Sequence, residues 1–255
     1  MSLTKKLSVL LGLRDKTEKD FQHMLDDMLS KFKNKQGLFK GERRTYQAID
    51  GYADDSTKRG YTAVASTVKE QLDWLKLHTA DFLKITFSVE KTNASGVMSK
   101  LVVDGKDWGE FSTLELLRLK SILDGKLKAM IAELPIRKET VIWSPTNDEN
   151  YAGREIFQSP LDEGFARTTL KESYILTDPH PDLKRPPQVG EKSRIVDTGK
   201  YTTQEFSGEY TNKQRADLQV RYNKLYTAVI EALENANNIE SQTSDLGDKV
   251  LEYLF

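Results

Sequence analysis

The chain contains no cysteine. That absence excludes disulfides, thiolate nucleophiles, iron–sulfur clusters and the common zinc-finger sites. Proline is scarce and confined: all seven prolines lie between Pro135 and Pro187. The segments on either side are therefore free to form long, uninterrupted helices. An excess of one charge is missing too. The 38 Lys and Arg nearly cancel the 39 Asp and Glu, leaving a formal net charge of −1. A generic polyanion binder carries a strong basic bias, so nucleic acid is disfavoured as a partner, although a local basic patch stays open.

Long apolar runs are absent as well. None approaches the ~20 residues of a membrane span. The apolar stretch Leu7–Leu13 ends at Arg14-Asp15-Lys16, too soon for the core of a signal peptide, and no small-residue cleavage site follows. A cytoplasmic protein without a membrane partner is expected. Only three histidines occur, His23, His78 and His180, far apart in the chain. There is no phosphate-binding glycine loop with Lys-Ser or Lys-Thr, no G-x-G-x-x-G, no G-x-S-x-G and no H-E-x-x-H. No catalytic residue is assigned on this basis, and neither a metal nor a cofactor is expected.

What is present is enough for a genuine core. The 255 residues need neither disulfide nor metal to fold. Phe21, Leu25, Met28 and Phe32 recur at helical spacing and predict a helix over 16–33, with Thr17 as its N-cap. Residues 37–60, rich in glycine, read as loop. A helix is predicted from Ser56 or Thr57 to about Ala80, carrying Tyr61, Val64, Val68, Leu72 and Leu75. Residues 82–89 alternate as a strand and pair with 98–103 in a hairpin, and Asp104–Gly109 reads as a turn. Ser112 or Thr113 caps a helix ending at Pro135, with Gly125 arguing against a straight one. Short strands follow at 141–143, 155–157, 174–176 and 194–196. A long helix over 211–239 presents Leu218, Tyr222, Leu225, Val229, Leu233 and Ala236 on one face, and Ser244 caps a last short one.

The expected fold class is α+β. Long amphipathic helices from both chain ends pack together, beside an antiparallel sheet built from the hairpin and the strand-rich middle. A single domain over 1–255 is expected: a helix and loop arm (1–55), helix–hairpin–helix (56–140), a strand- and loop-rich region (141–208) and C-terminal helices (209–255). The long C-terminal face and the apolar end at Leu251, Tyr253, Leu254 and Phe255 suggest a homo-oligomer, with a dimer favoured.

The segment Lys40-Gly41-Glu42-Arg43-Arg44-Thr45-Tyr46-Gln47 carries the most chemistry. Guanidinium forks bind phosphate or carboxylate, and a tyrosine ring offers a stacking face. Arg43, Arg44, Thr45 and Tyr46, with Lys58 and Arg59 across the next turn, are the candidate ligand-binding set. The competing reading has Arg43 and Arg44 paired with acids and Tyr46 packing the segment onto the core. His180, between Pro179 and Pro181 and flanked by Asp178 and Asp182, is an additional candidate. His23 and Asp27 read as a surface pair, and His78 as a histidine near a helix C-terminus. Asp54-Asp55 reads as helix-start charge, and Asp148-Glu149 as a partner for it in a hard-cation site that lacks the glycine bend of a calcium loop.

Arg44-Thr45-Tyr46-Gln47, Val102-Val103-Asp104-Gly105, Leu134-Pro135, Thr203-Gln204-Glu205-Phe206-Ser207-Gly208 and Tyr253-Leu254-Phe255 resemble landmarks of an uncharacterised bacterial family. Its members are mainly hypothetical proteins of actinobacteria and mobile elements. The likeness spans nearly the whole chain and departs at Pro179–Pro187 and at Gly199-Lys200-Tyr201. It implies one unit from end to end and supplies no activity to carry over. Together these readings favour a non-enzymatic binding or assembly protein, recognising an anionic, nucleotide-like small molecule or a protein partner in a phage–host conflict or mobile-element context. The alternatives are an enzyme of unfamiliar type acting on a nucleotide or phosphoester, with Arg43, Arg44 and His180 converging, and a nucleic-acid-binding protein.

Overall fold

The elements follow from caps and turns that the sequence spells out. A computed structural model describes residues 7–94, 97–177 and 188–237. In chain order the helices are α1 (Leu7–Asn34), α2 (Val68–Asn93), α3 (Thr113–Ile122), α4 (Lys128–Ala132) and α5 (Asn212–Asn237). The strands are β1 (Lys40–Ala48), β2 (Gly60–Thr62), β3 (Met98–Val103), β4 (Lys106–Ser112), β5 (Ser144–Pro145), β6 (Phe157–Gln158), β7 (Asp162–Thr177) and β8 (Gln188–Ser207). The class is α+β and its sheets are antiparallel. By its internal contacts the chain divides into two compact units: residues 1–35, 71–136 and 210–255, and residues 36–70 and 137–209.

In the first unit, the predicted stripe Phe21, Leu25, Met28 and Phe32 is buried along α1. Thr17 is not a cap: it lies inside α1 and its hydroxyl donates to the carbonyls of Leu13 (3.1 Å) and Arg14 (3.0 Å). Residues 82–89 are helical rather than a strand. Phe82, Thr86 and Val89 are the buried positions, spaced four and three apart on one face of α2, and Phe21 stacks on Phe82 with ring centroids 4.3 Å apart. The apolar residues there satisfy both periods, but no glycine or proline separates them from the preceding turn, so the helix continues.

The hairpin is therefore β3 with β4, joined by Asp104-Gly105, both with positive φ (53° and 75°), as a two-residue hairpin turn requires. It forms its own two-stranded sheet and does not join the middle strands. Ser112 caps α3 through a full capping box with Glu115. Between α3 and α4 the helical backbone breaks at Gly125 (φ −78°, ψ −150°), as the glycine foretold. α1 packs on α4, while α5 packs on α3, α4 and β3. Tyr222, Val229, Leu233 and Ala236 are buried there, and the Tyr222 hydroxyl donates to the Leu123 carbonyl at 3.0 Å. Most of that C-terminal face is bundle core, with Leu218 and Leu225 part-buried. The remaining basis for self-association through this end, residues 251–255, lies outside the described residues, as does the short helix expected from Ser244.

In the second unit, the sheet runs in the order β2-β1-β8-β6-β5, and β7 also pairs with β8. The expectation of loop over 37–60 is overturned: residues 40–48 are β1, paired with β8 along its whole length. The short strands expected at 174–176 and 194–196 are parts of the far longer β7 and β8, and strand at 141–143 falls instead at β5. Val64, Tyr151, Ile156 and Phe206 make the core cluster. The helix expected from Ser56 starts twelve residues later, at Val68. Thr67 is its cap: the Thr67 hydroxyl accepts from Glu70 N (3.1 Å), and Glu70 Oε2 accepts from Thr67 N (2.9 Å). Tyr61 lies on β2, not on a helix. Asp55 caps a single 3-10 turn at 56–58, accepting from Thr57 N. No helix of the described residues is long and apolar enough to cross a membrane.

Candidate functional site

β1 carries most of the predicted site residues, and its geometry sorts them. Neighbours on a strand point to opposite faces, so Arg43 and Arg44 cannot act as one fork. Arg43 faces the core side of the sheet. Its guanidinium sits 5.6 Å from the Tyr61 ring centroid and 5.5 Å from that of Phe206, and it is bonded to Asp148. Asp148 accepts from the backbone N (3.0 Å) and the side-chain Nδ2 (2.9 Å) of Asn150. The Asn150 N–H, helped by Arg43, holds the Asp148 carboxyl below the usual carboxylate range. Asp148 is thus spoken for by an arginine and does not join Asp54 or Asp55 around a cation.

Arg44 leaves the opposite face. It pairs with Glu42 at 3.1 Å and lies 6.0 Å from the Tyr201 ring centroid, with about half of its side chain exposed. Thr45 shares a 2.5 Å hydroxyl contact with Thr202 across the β1–β8 pair. Tyr46 is only 4% exposed, and its hydroxyl donates to the Thr198 carbonyl at 3.1 Å. Its ring lies flat on Gly199, where an added Cβ would come within 2.2 Å. Tyr201 covers Gly164 in the same manner, so two glycines of the sheet serve as beds for tyrosine rings. Tyr46 is thus packed within the sheet.

Lys58 sits over the Tyr46 ring, 4.7 Å from its centroid, and 3.6 Å from Asp55. Arg59 donates to the Tyr46 carbonyl (3.3 Å) and forms a fork with both Asp54 oxygens at 2.9 and 2.7 Å. At the edge strand β2 the set partly converges. Arg43, Arg44 and Arg59 line one open depression of about 470 Å³ with Gly60, Tyr61 and Asn150. Thr45, Tyr46 and Lys58 do not line it. His180 lies outside the described residues. His23 is an exposed residue of α1, and Asp27 pairs with Lys31. His78 is in the middle of α2, not near its end, bonded to the Trp74 carbonyl (2.8 Å) and stacked on its ring.

Sequence reasoning missed Tyr61 and Asn150, the first because it fits a helical stripe with Val64 and Val68. It also missed Arg154, the most connected arginine of this unit. Arg154 grips both Glu70 oxygens (2.6 and 2.9 Å) and donates to the carbonyls of Val64 (3.1 Å) and Ala65 (3.2 Å). Its hydrogen bonds hold the Glu70 carboxyl below its usual range. The helix start itself was legible, since Thr67-Val68-Lys69-Glu70 spells a capping box, but nothing in that pattern points to Arg154.

A second, smaller depression of about 360 Å³ is lined by Lys40, Glu42, Lys138, Trp143, Glu205 and Glu209, among others. Glu209 is buried and accepts from the Ser207 hydroxyl at 3.0 Å. Lys40 Nζ stands 3.4 Å from its Oε1, near enough for charge but not aligned for a hydrogen bond. Burial raises the Glu209 carboxyl above its usual 4.5, with Lys40 and Ser207 opposing. The folded chain therefore holds this proton more tightly than the unfolded one. Its stabilising contribution is full below the unfolded value and is lost as pH rises through the folded one. Glu209→Gln should keep the fold and flatten that decline, with urea midpoints across pH 4–8 as the measurement. A variant that loses more stability at pH 8 than at pH 4 would show that the Lys40 pair outweighs burial.

Among the described residues no cluster of His, Asp or Glu has the arrangement of a metal site. No curated protein and no solved structure matches the chain. Residues 4–255 match the model of a family of unknown function, DUF7873, and the chain belongs to that family.

Proposed function

We propose that the protein is a binding protein that takes an anionic, nucleotide-like ligand at the β2 edge. The observation that carries this is one open depression wrapped around the β2 edge at Gly60, lined by Arg44 and Arg59 and, from the face of Arg43, by the half-exposed Tyr61. Each arginine already has an acid, so the reading depends on what those pairs are worth. Arg44–Glu42 and Arg59–Asp54 are exposed on both sides. Such pairs contribute ~0–1 kcal/mol each, so a phosphate can displace the acids at small cost. Arg43 differs, because its partner Asp148 is nine-tenths buried and its guanidinium is stacked. It orders Tyr61 and does not reach for ligand.

Planar guanidinium forks match phosphate oxygens, and the tyrosine ring offers a base a face of its own size. The volume lies in the ~300–1,000 Å³ range of small-molecule sites. Asp148, held ionised and engaged by Arg43, is not free to shuttle protons, which favours binding over catalysis at this place. Titration calorimetry with ADP and, separately, with inorganic phosphate tests the proposal. ADP should bind and phosphate bind more weakly, since only ADP uses Tyr61. Absence of heat and of thermal stabilisation with both probes counts against it.

A further inference from the structure

The smaller depression, at the start of β1, brings together three carboxylates and an indole ring. Glu42 and Glu205 stand directly opposite each other across the β1–β8 pair, so both side chains leave the same face. Like charges so placed repel and call for a cation between them. Each has one at its flank. Arg44 lies 3.1 Å from Glu42, and Lys138 donates to both Glu205 oxygens at 3.1 and 3.2 Å. All four side chains are about half exposed. Glu209, the third acid, differs in kind. Its side chain is 4% exposed, and Oε2 accepts from the Ser207 hydroxyl. Oε1 is buried and, among the described residues, is hydrogen-bonded to no donor. A buried carboxylate oxygen is seldom left so. Lys40 Nζ, 3.4 Å away and out of line, supplies charge from a half-exposed side chain. Trp143 walls the same depression, and its indole N–H is taken by the Lys138 carbonyl at 2.8 Å. What the ring has left to offer is its apolar face.

This lining selects a ligand class by elimination. Three acids outnumber two lysines, and both lysines are engaged, so an anion finds no free counter-charge. A single metal ion is unsuited, because no acids among the described residues converge as its ligands would. Two separate acid centres, the opposed pair and the buried Glu209, call instead for two cationic heads on one carbon chain. Lys138 and Lys40 already place one ammonium at each centre. We infer that the depression binds a short aliphatic diamine, whose ammonium groups replace the two lysine heads and whose methylenes lie on Trp143. A free ammonium can align on Glu209 Oε1 where the tethered Lys40 does not, and an indole face attracts a cation beside it. The displaced lysine heads return to water at little cost, being half-exposed already. The space, about 360 Å³, is at the small end of ligand sites, as a short diamine requires. This inference does not rest on the ADP reading.

Titration calorimetry and thermal melts of the full chain with 1,4-diaminobutane test it. Butylamine probes a single head, and tetramethylammonium probes charge without N–H donors. The diamine should bind and raise the melting temperature, butylamine should bind more weakly, and tetramethylammonium should do neither. Glu209→Gln should weaken the diamine about tenfold or more, the value of a lost charge-assisted bond. Glu163→Gln, which removes an exposed acid elsewhere on the sheet, should leave binding unchanged. Lys40→Ala clears the position over Glu209, so the diamine should raise its melting temperature further than that of the wild type. The inference is overturned if the diamine gives neither heat nor a melting shift, or if tetramethylammonium matches it. It is overturned equally if Glu209→Gln binds as the wild type does, or if Lys40→Ala gains less than the wild type. Equal weakening by Glu163→Gln would also overturn it, by showing attraction to surface acids at large.

Discussion

Tyr46→Ala should cost about 3–5 kcal/mol of stability, the penalty for deleting a fully buried aromatic ring. For a chain of this size that is roughly 6–20 °C of melting temperature. The ring fills the space above Gly199 and its hydroxyl reaches Thr198, so alanine removes the packing of β1 on β8 at the Ala48↔Gly199 end of their ladder. Gly199→Val attacks the same contact from below and should cost at least as much. Its side chain must occupy the place of the tyrosine ring, and a displaced ring exposes both surfaces. Tyr46→Phe should be mild, near or below 1 kcal/mol, because the Thr198 carbonyl still accepts from Ile49 N at 3.1 Å. Thermal melts of the three variants check the order. A harmless Tyr46→Ala would mean that the ring is not the scaffold it looks to be.

Arg154→Ala should be the second large effect, about 2–3 kcal/mol by urea unfolding, since it removes a two-point charge-assisted grip and two carbonyl bonds together. Glu70 would then be left to its cap alone. The pH dependence should change with it. Glu70 has a lowered carboxyl in the folded chain, so its contribution is present above the unfolded value of 4.5 and lost as pH falls through the folded one. In Arg154→Ala that acid-side loss should shrink, whereas a structural role without charge linkage would leave the slope untouched. Arg154→Lys should recover little, because lysine cannot span both oxygens and two carbonyls at once.

Legibility in the sequence followed the uniqueness of the local signal. The stripes of α1 and α5 and the break at Gly125 each had one physical interpretation, while Ser112 or Thr113 could start α3 and the structure selects Ser112. Residues 82–89 had two, since their apolar positions fit both a strand and a helix. The deciding fact was the missing breaker upstream. Thr67-x-x-Glu70 was a sounder helix start than Ser56 or Thr57, and only it carried the reciprocal glutamate. The glycines of 37–60 suggested loop, yet Gly41 is where β1 runs close to the Thr62 carbonyl. β7 and β8 were legible only as short pieces because their apolar residues alternate onto two exposed faces, a pattern that buries neither. Arg43 and Arg44 stood out as a pair, but adjacency on a strand separates them. No sequence pattern could announce that Asp148, more than a hundred residues away, holds the first.

The division of labour between those two arginines is the centre of the account, and one paired measurement tests it: ADP titration and thermal melting of Arg43→Ala and Arg44→Ala, side by side. Arg44→Ala should melt with the wild type and bind ADP about ten- to a hundredfold more weakly, the value of a lost charge-assisted contact, with Arg44→Lys failing to restore it. Arg43→Ala should melt early, having stranded Asp148. The account is contradicted if Arg44→Ala binds ADP as the wild type does, or if it melts early while Arg43→Ala does not.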